Sequence, residues 1–169
     1  MSRLGRNNRR SDSHDSPLDV IEDYAVREGL GFEKREPHEA FTQIKGKWAE
    51  YKIGVLWRSA AGFLHISCPL DIKVPPIHRQ DVMELIILAN EQIYSGHFGL
   101  CSELEIPIFR CSQALRGVPN IVMEQVEDIV KNILRECERF YPIFQFVIWA
   151  NHDPKKAMQM AILETVGEA

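Results

Sequence analysis

The run Trp48-Ala49-Glu50-Tyr51-Lys52-Ile53-Gly54-Val55-Leu56-Trp57-Arg58 decides the fold class, together with Ser59-Ala60-Ala61-Gly62 and Phe63-Leu64-His65-Ile66-Ser67-Cys68-Pro69-Leu70-Asp71-Ile72-Lys73-Val74 after it. Successive side chains of a strand point to opposite faces, so a strand with unlike faces alternates in sequence. Ala49, Tyr51, Ile53, Val55 and Trp57 share one face, against Glu50, Lys52 and Arg58. In the second run Leu64, Ile66, Cys68, Leu70 and Ile72 share a face, against His65, Ser67, Asp71 and Lys73. The Ser59–Gly62 segment between them is a hairpin turn. One dry face and one wet face predict an antiparallel sheet covered on one side.

Upstream, residues 41–45 predict one more strand. Before it stands a helix signal. Ser16 is an N-cap, Pro17 suits the first turn, Leu18, Ile21 and Ala25 recur at helical spacing, and Gly29 ends the run. Downstream, Pro75-Pro76 closes the meander. A helix over 79–95 follows, with Val82, Leu85, Ile86, Ala89 and Ile93 as its inward stripe and Gly96 as its stop. Residues 97–103 and 106–112 form a second hairpin, centred on Ile106. A long helix spans 123–149, which Pro142 is expected to kink or split. Asp153 and Pro154 open a last helix with Ala157, Met158, Ala161 and Ile162 inward. The fold class is therefore α+β, with about five strands in the order α-β-β-β-α-β-β-α-α.

A chain of 169 residues fits one core without staples. Residues 1–15 hold Arg3, Arg6, Arg9 and Arg10 and almost nothing apolar, so they are expected to be a disordered tail before a single domain over 16–169. The net charge of -4 argues against a general nucleic-acid binder. No apolar run reaches the about 20 residues that a bilayer span needs, and no apolar stretch follows the arginines as a secretory signal requires. Cys68, Cys101, Cys111 and Cys137 form no CxxC pair and read as reduced thiols of a cytoplasmic protein.

Chemistry-bearing groups are sparse. Ser67, His65 and Asp71 share a strand face by parity, yet a nucleophilic serine needs a strained turn and an oxyanion hole, so no catalytic residue is assigned. His97, Cys101 and Cys111 allow a zinc site if Cys111 lies across the hairpin, but a fourth ligand is missing; free thiols are the favoured reading, and neither metal nor cofactor is expected. One feature exceeds what a plain core needs. Residues 83–88 and 140–149 carry more apolar surface than one helix face buries, Met83, Ile87 and Leu88 above all. They either fill the middle of the fold or form a protein interface.

Four blocks resemble the YbjN family of bacterial sensory transduction regulators. They are Leu64-His65-Ile66-Ser67-Cys68 with Asp71 and Val74-Pro75; Asn90-Glu91 with Gly96-His97-Phe98; Glu136-Cys137-Glu138-Arg139-Phe140-Tyr141-Pro142 with Phe144-Gln145-Phe146; and the tail Leu163-Glu164-Thr165-Val166-Gly167-Glu168-Ala169. The resemblance implies a fold similar to type III secretion chaperones, and it brings no catalytic residues. The expectation is a non-enzymatic protein-interaction module, a regulator or chaperone-like adaptor in bacterial signalling or stress response. It would bind a protein partner or a second copy through Phe98, Phe109, Phe144 and Trp149. The alternative is a sensor that holds a small molecule or nucleotide on the sheet face bearing His65 and Asp71.

Overall fold

The computed structural model describes residues 16–167 except Pro119, with side chains through Met160. The expected tail over 1–15 lies outside the described residues, and the inward side chains of Ala161 and Ile162 lie outside the described side chains.

Helix α1 (Pro17–Arg27) starts as its sequence dictates: Leu18 N–H donates to Ser16 Oγ at 3.2 Å, and Ser16 N–H donates to the Asp19 carboxylate at 3.0 Å. Its apolar stripe, Leu18, Ile21, Tyr24 and Ala25, is buried. Four strands follow: β1 (Gly31–Glu36), β2 (Glu39–Lys45), β3 (Glu50–Arg58) and β4 (Phe63–Pro69). Helix α2 (Arg79–Asn90) leads to the hairpin of β5 (His97–Cys101) and β6 (Ile106–Ala114), and α3 (Met123–Trp149) and α4 (Pro154–Gly167) complete the chain. The described strands form one antiparallel sheet in the order β1-β2-β3-β4-β6-β5.

The sheet thus has six strands where about five were expected. The addition is β1, Gly-Phe-Glu-Lys-Arg-Glu, an edge strand with five of its six residues exposed. With so little to bury, it shows no hydrophobic alternation.

Parity in the meander holds. Ala40 pairs with Val55, Val55 with Ile66 and Ile66 with Cys111, and this row faces the helices. Ala40, Ile44, Tyr51, Ile53, Val55, Leu64, Ile66 and Cys68 are buried, while the intervening Gln43, Lys52 and His65 are exposed. The core lies between this face and α1, α2 and α3. A fully buried Phe or Leu of this kind stabilises the fold by about 1.5–3 kcal/mol.

Three boundaries differ from expectation. Strand β4 stops at Pro69, because Ile72 N–H turns back to Leu70 O at 2.8 Å, a three-residue turn centred on Asp71. Helix α2 ends at Asn90, and Asn90 spends its side chain on β5 instead of prolonging the helix. Pro142 does not divide α3, which runs unbroken through it. The last helix begins as expected, with Asp153 Oδ1 accepting from Lys156 N–H at 3.1 Å.

Candidate interaction surface

The run Glu136–Tyr141 of α3 is the joint between helix and sheet. Glu136 is 4% exposed and accepts from Arg135 Nε at 3.0 Å, with Arg139 Nη1 3.9 Å from its other oxygen. Cys137 meets Cys68 of β4 in the core; contact with that thiol, together with burial, holds its proton far more tightly than usual. Glu138 reaches the β2–β3 turn, accepting from Lys47 N–H at 2.8 Å. Phe140 stacks edge-on against Phe98 at 5.4 Å, and Tyr141 against Tyr51 at 6.2 Å. The residues that carry the family resemblance here hold the fold together.

The expected contact aromatics are not gathered on a surface. Phe98, Phe109 and Phe144 are 1%, 0% and 0% exposed. Phe98 packs edge-to-face on Phe109 at 5.1 Å and on Phe144 at 5.4 Å, so these three rings are centre-of-core residues. Trp149, 66% exposed at the end of α3, is the member of the set that lies on the surface.

His65 and Asp71 are not brought together. His65 is exposed on the uncovered sheet face, where its Nδ1 meets Ser112 Oγ. Asp71 sits in the turn after β4, and its charge, after burial, raises the Tyr141 phenol on the helix side. The expected shared face assumed that alternation continues past Pro69; the turn breaks it. The His97–Cys101–Cys111 grouping fails likewise. The hairpin closes at Cys101↔Ile106, so Cys111 stands opposite Ile66 of β4. Burial there pushes the Cys111 thiol up to about 11. Among the described residues no three His, Cys, Asp or Glu side chains gather as metal ligands.

The surplus apolar stretches divide. Residues 140–149 mostly fill the core, with Phe146 and Trp149 outside. In α2, Val82, Leu85, Ile86 and Ala89 go inward. Met83 and Ile87, four residues apart and hence on one face, are 50% and 62% exposed. Ile77 before the helix and Tyr94 after it are exposed as well. The outer side of α2 therefore exposes the apolar pair Met83 and Ile87, beside Glu84, which pairs with Lys155 of α4 at 3.6 Å. Met83 and Ile87 were legible as an excess over one stripe; Ile77 precedes the expected helix, and Tyr94 falls in its expected last turn, which the structure leaves outside α2.

The uncovered sheet face holds a shallow cleft of about 250 Å³, lined in part by Phe41, Gly54, Leu56, His65, Ile108 and Arg110. Gly54 forms its floor, since a Cβ there would come within 3.2 Å of the Phe41 ring and 3.3 Å of Ser67 Oγ.

An antiparallel sheet with one face covered by helices defines an α+β domain. Residues 17–146 match the family model YbjN, described as "Putative bacterial sensory transduction regulator", and the chain belongs to that family. No curated protein matches the chain. Among solved structures it is similar to a chain of the HopA1–SchA chaperone–effector complex, at 9% identity and a TM-score of 0.49 over 70% of this chain and 87% of that one. It is also similar to the crystal structure of YbjN, "a putative transcription regulator from E. coli", at 11% identity and a TM-score of 0.48 over 89% and 92%. Among the described residues no helix is long and apolar enough to cross a membrane.

Proposed function

We propose that the chain is a non-enzymatic protein-interaction module of the bacterial cytoplasm, a regulator or chaperone-like adaptor acting through the outer face of α2. The observation that carries this reading is the set of Ile77, Met83, Ile87 and Tyr94, four large apolar side chains exposed along one helix and its flanks. Large apolar side chains exposed together along a helix and its flanks point to a protein contact site, and an amphipathic or extended segment of a partner would cover them. The same face would serve a second copy of the chain. The experiment is an affinity pull-down from the source cells with wild-type protein and a Met83→Ser/Ile87→Ser variant of equal stability. A protein retained by the first and lost by the second supports the reading. Equal capture by both moves the contact elsewhere. Light scattering on the same pair separates a homodimer from a monomer that waits for a partner.

The cleft on the uncovered sheet face favours a second reading, a ligand sensor with His65 and Arg110 in its lining. A thermal shift screen over nucleotides and common metabolites tests it, since a ligand at a hundredfold excess over its Kd adds about 2.7 kcal/mol.

A further inference from the structure

The last residues of β6 have a neighbouring strand on one side. β4 pairs with β6 from Pro69↔Ile108 to Phe63↔Ala114, whereas β5 pairs with it from Cys101↔Ile106 to His97↔Arg110. Pro107 O accepts from Leu70 N–H at 2.9 Å, and Leu115 N–H donates to Gly62 O at 2.8 Å, so the odd-numbered residues turn their backbone groups toward β4. Alternation then points the N–H and C=O of Ser112 and Ala114 the other way, past the end of β5. There Gly96, at φ 86°, leads the chain off the sheet. Ser112 and Ala114 are both exposed.

The two outer edges of the sheet are guarded. On β5, the Asn90 side chain takes both outward groups of Phe98, accepting its N–H at 2.8 Å and donating to its carbonyl at 3.0 Å. On β1, Glu33, Lys34, Arg35 and Glu36 charge the edge, and the register shifts between Lys34 and Glu36. Both devices discourage an added strand. The segment Cys111-Ser112-Gln113-Ala114 is uncharged; its Ala114 carbonyl accepts from Gln113 Nε2 at 3.3 Å, a local bond that an added strand displaces, and the outward Ser112 groups have no such guard among the described residues. Beside it lies a cleft of about 330 Å³ between β6 and α3, with Ile66, Cys111 and Ile129 apolar and Gln125, Asp128 and Asn132 polar.

We propose that this open edge takes a short extended segment of a partner protein as an added strand, an apolar side chain entering the cleft and a basic one facing Asp128. Main-chain bonds give affinity in such strand addition, and alternate side-chain pockets give selectivity. The occupant is a peptide segment and not a second copy, because four residues of edge fall far short of the about 800 Å² per partner that a stable dimer buries. The carboxylate at the rim selects the basic residue. The proposal rests on the interaction-module reading but uses a surface separate from the outer face of α2.

The test selects random-sequence peptides by display against the full chain and measures the winners by fluorescence polarisation. Selected peptides are expected to alternate, with a basic residue, and to slow hydrogen exchange at the Ser112 and Ala114 amides. Ser112→Pro removes the outward N–H alone, a change an edge position tolerates. It should weaken binding at least about tenfold, the loss of a main-chain bond plus a steric block. Ser112→Ala, which keeps the N–H and loses the hydroxyl near His65, should bind as the wild type does. Unchanged binding to Ser112→Pro, or a selection that yields no peptide, overturns the proposal. Peptides sensitive to Met83→Ser/Ile87→Ser instead would uphold the α2 face and overturn the edge, so the two readings fail separately.

Discussion

Glu138 Oε1 accepts the backbone N–H of Lys47 at 2.8 Å, joining the long helix to the β2–β3 turn across 91 residues of sequence. The turn admits the carboxylate because residue 46 is glycine. A Cβ on Gly46 would lie 2.0 Å from that oxygen and 2.4 Å from the Tyr51 ring. The oxygen is held by its bond and the ring is 1% exposed, so neither can yield freely. Gly46→Ala is expected to destabilise the protein by about 1–3 kcal/mol, the range for overpacking a tight site. In a Glu138→Ala background the same change should cost less, because one of the two obstacles is gone. Urea titrations of the four proteins measure this coupling; strict additivity would mean that the two residues do not share one site.

The four expected contact aromatics should separate by stability. Phe144→Ala removes a fully buried ring packed on Phe98 and should cost about 3–5 kcal/mol. Trp149→Ala removes a ring that is 66% exposed and should change stability by no more than about 0.5 kcal/mol. Thermal and urea denaturation of the two variants check it. A large loss at Trp149 would mean that its ring braces α3 against α4.

Much of this fold was legible because burial is one-sided. The alternation over residues 48–74 fixed which face of β3 and β4 is dry, and caps at Ser16 and Asp153 marked where helices begin. Strand β1 was illegible, since an edge strand with five exposed residues carries no periodic signal. The Asp71 turn was also hidden: Leu70 and Ile72 are both buried, so the apolar alternation runs on where the strand has stopped. The surface was harder still. Hydrophobicity alone ranks Phe98 and Phe144 with Met83 and Ile87, and nothing local in the sequence says which pair the fold encloses. The open edge of β6 depends on one strand outlasting its neighbour, a difference of register that composition does not record.

Alkaline pH should destabilise the protein. Burial, then the Glu138 carboxylate, raises the Tyr51 phenol well above its usual 10.0, and burial raises Tyr141. The Cys137 thiol is raised from 9.0 by Cys68 and by burial. In each case the folded state holds the proton more tightly. Below the ordinary values both states are protonated and stability is level. Above them the unfolded chain ionises first, so stability falls as pH rises through about 9 and then about 10. The urea midpoint should therefore drop between about pH 8 and about pH 10.5. Tyr51→Phe should flatten part of that slope. Tyr51 Oη is buried without a hydrogen bond in normal geometry, so at neutral pH its loss should cost under about 1 kcal/mol. A slope unaltered by Tyr51→Phe would assign the effect to the Tyr141 phenol and the Cys137 thiol.

Pro142 leaves the carbonyl of Glu138 without the N–H that a helix would normally send to it. A proline inside a helix costs about 3 kcal/mol relative to alanine. Two terms oppose its removal here. Alanine gives the unfolded chain more freedom, worth about 0.4–1 kcal/mol. The half-buried ring between Tyr141 and Ile143 also loses about 1 kcal/mol of apolar burial. Pro142→Ala should therefore stabilise the protein by about 1 kcal/mol. The urea midpoint of the variant at neutral pH decides the sign. A gain would make Pro142 a tolerated strain in α3. A loss would mean that the packing of Tyr141, Phe144 and Ile148 depends on the proline ring, and the ring would then help set where Trp149 emerges on the surface.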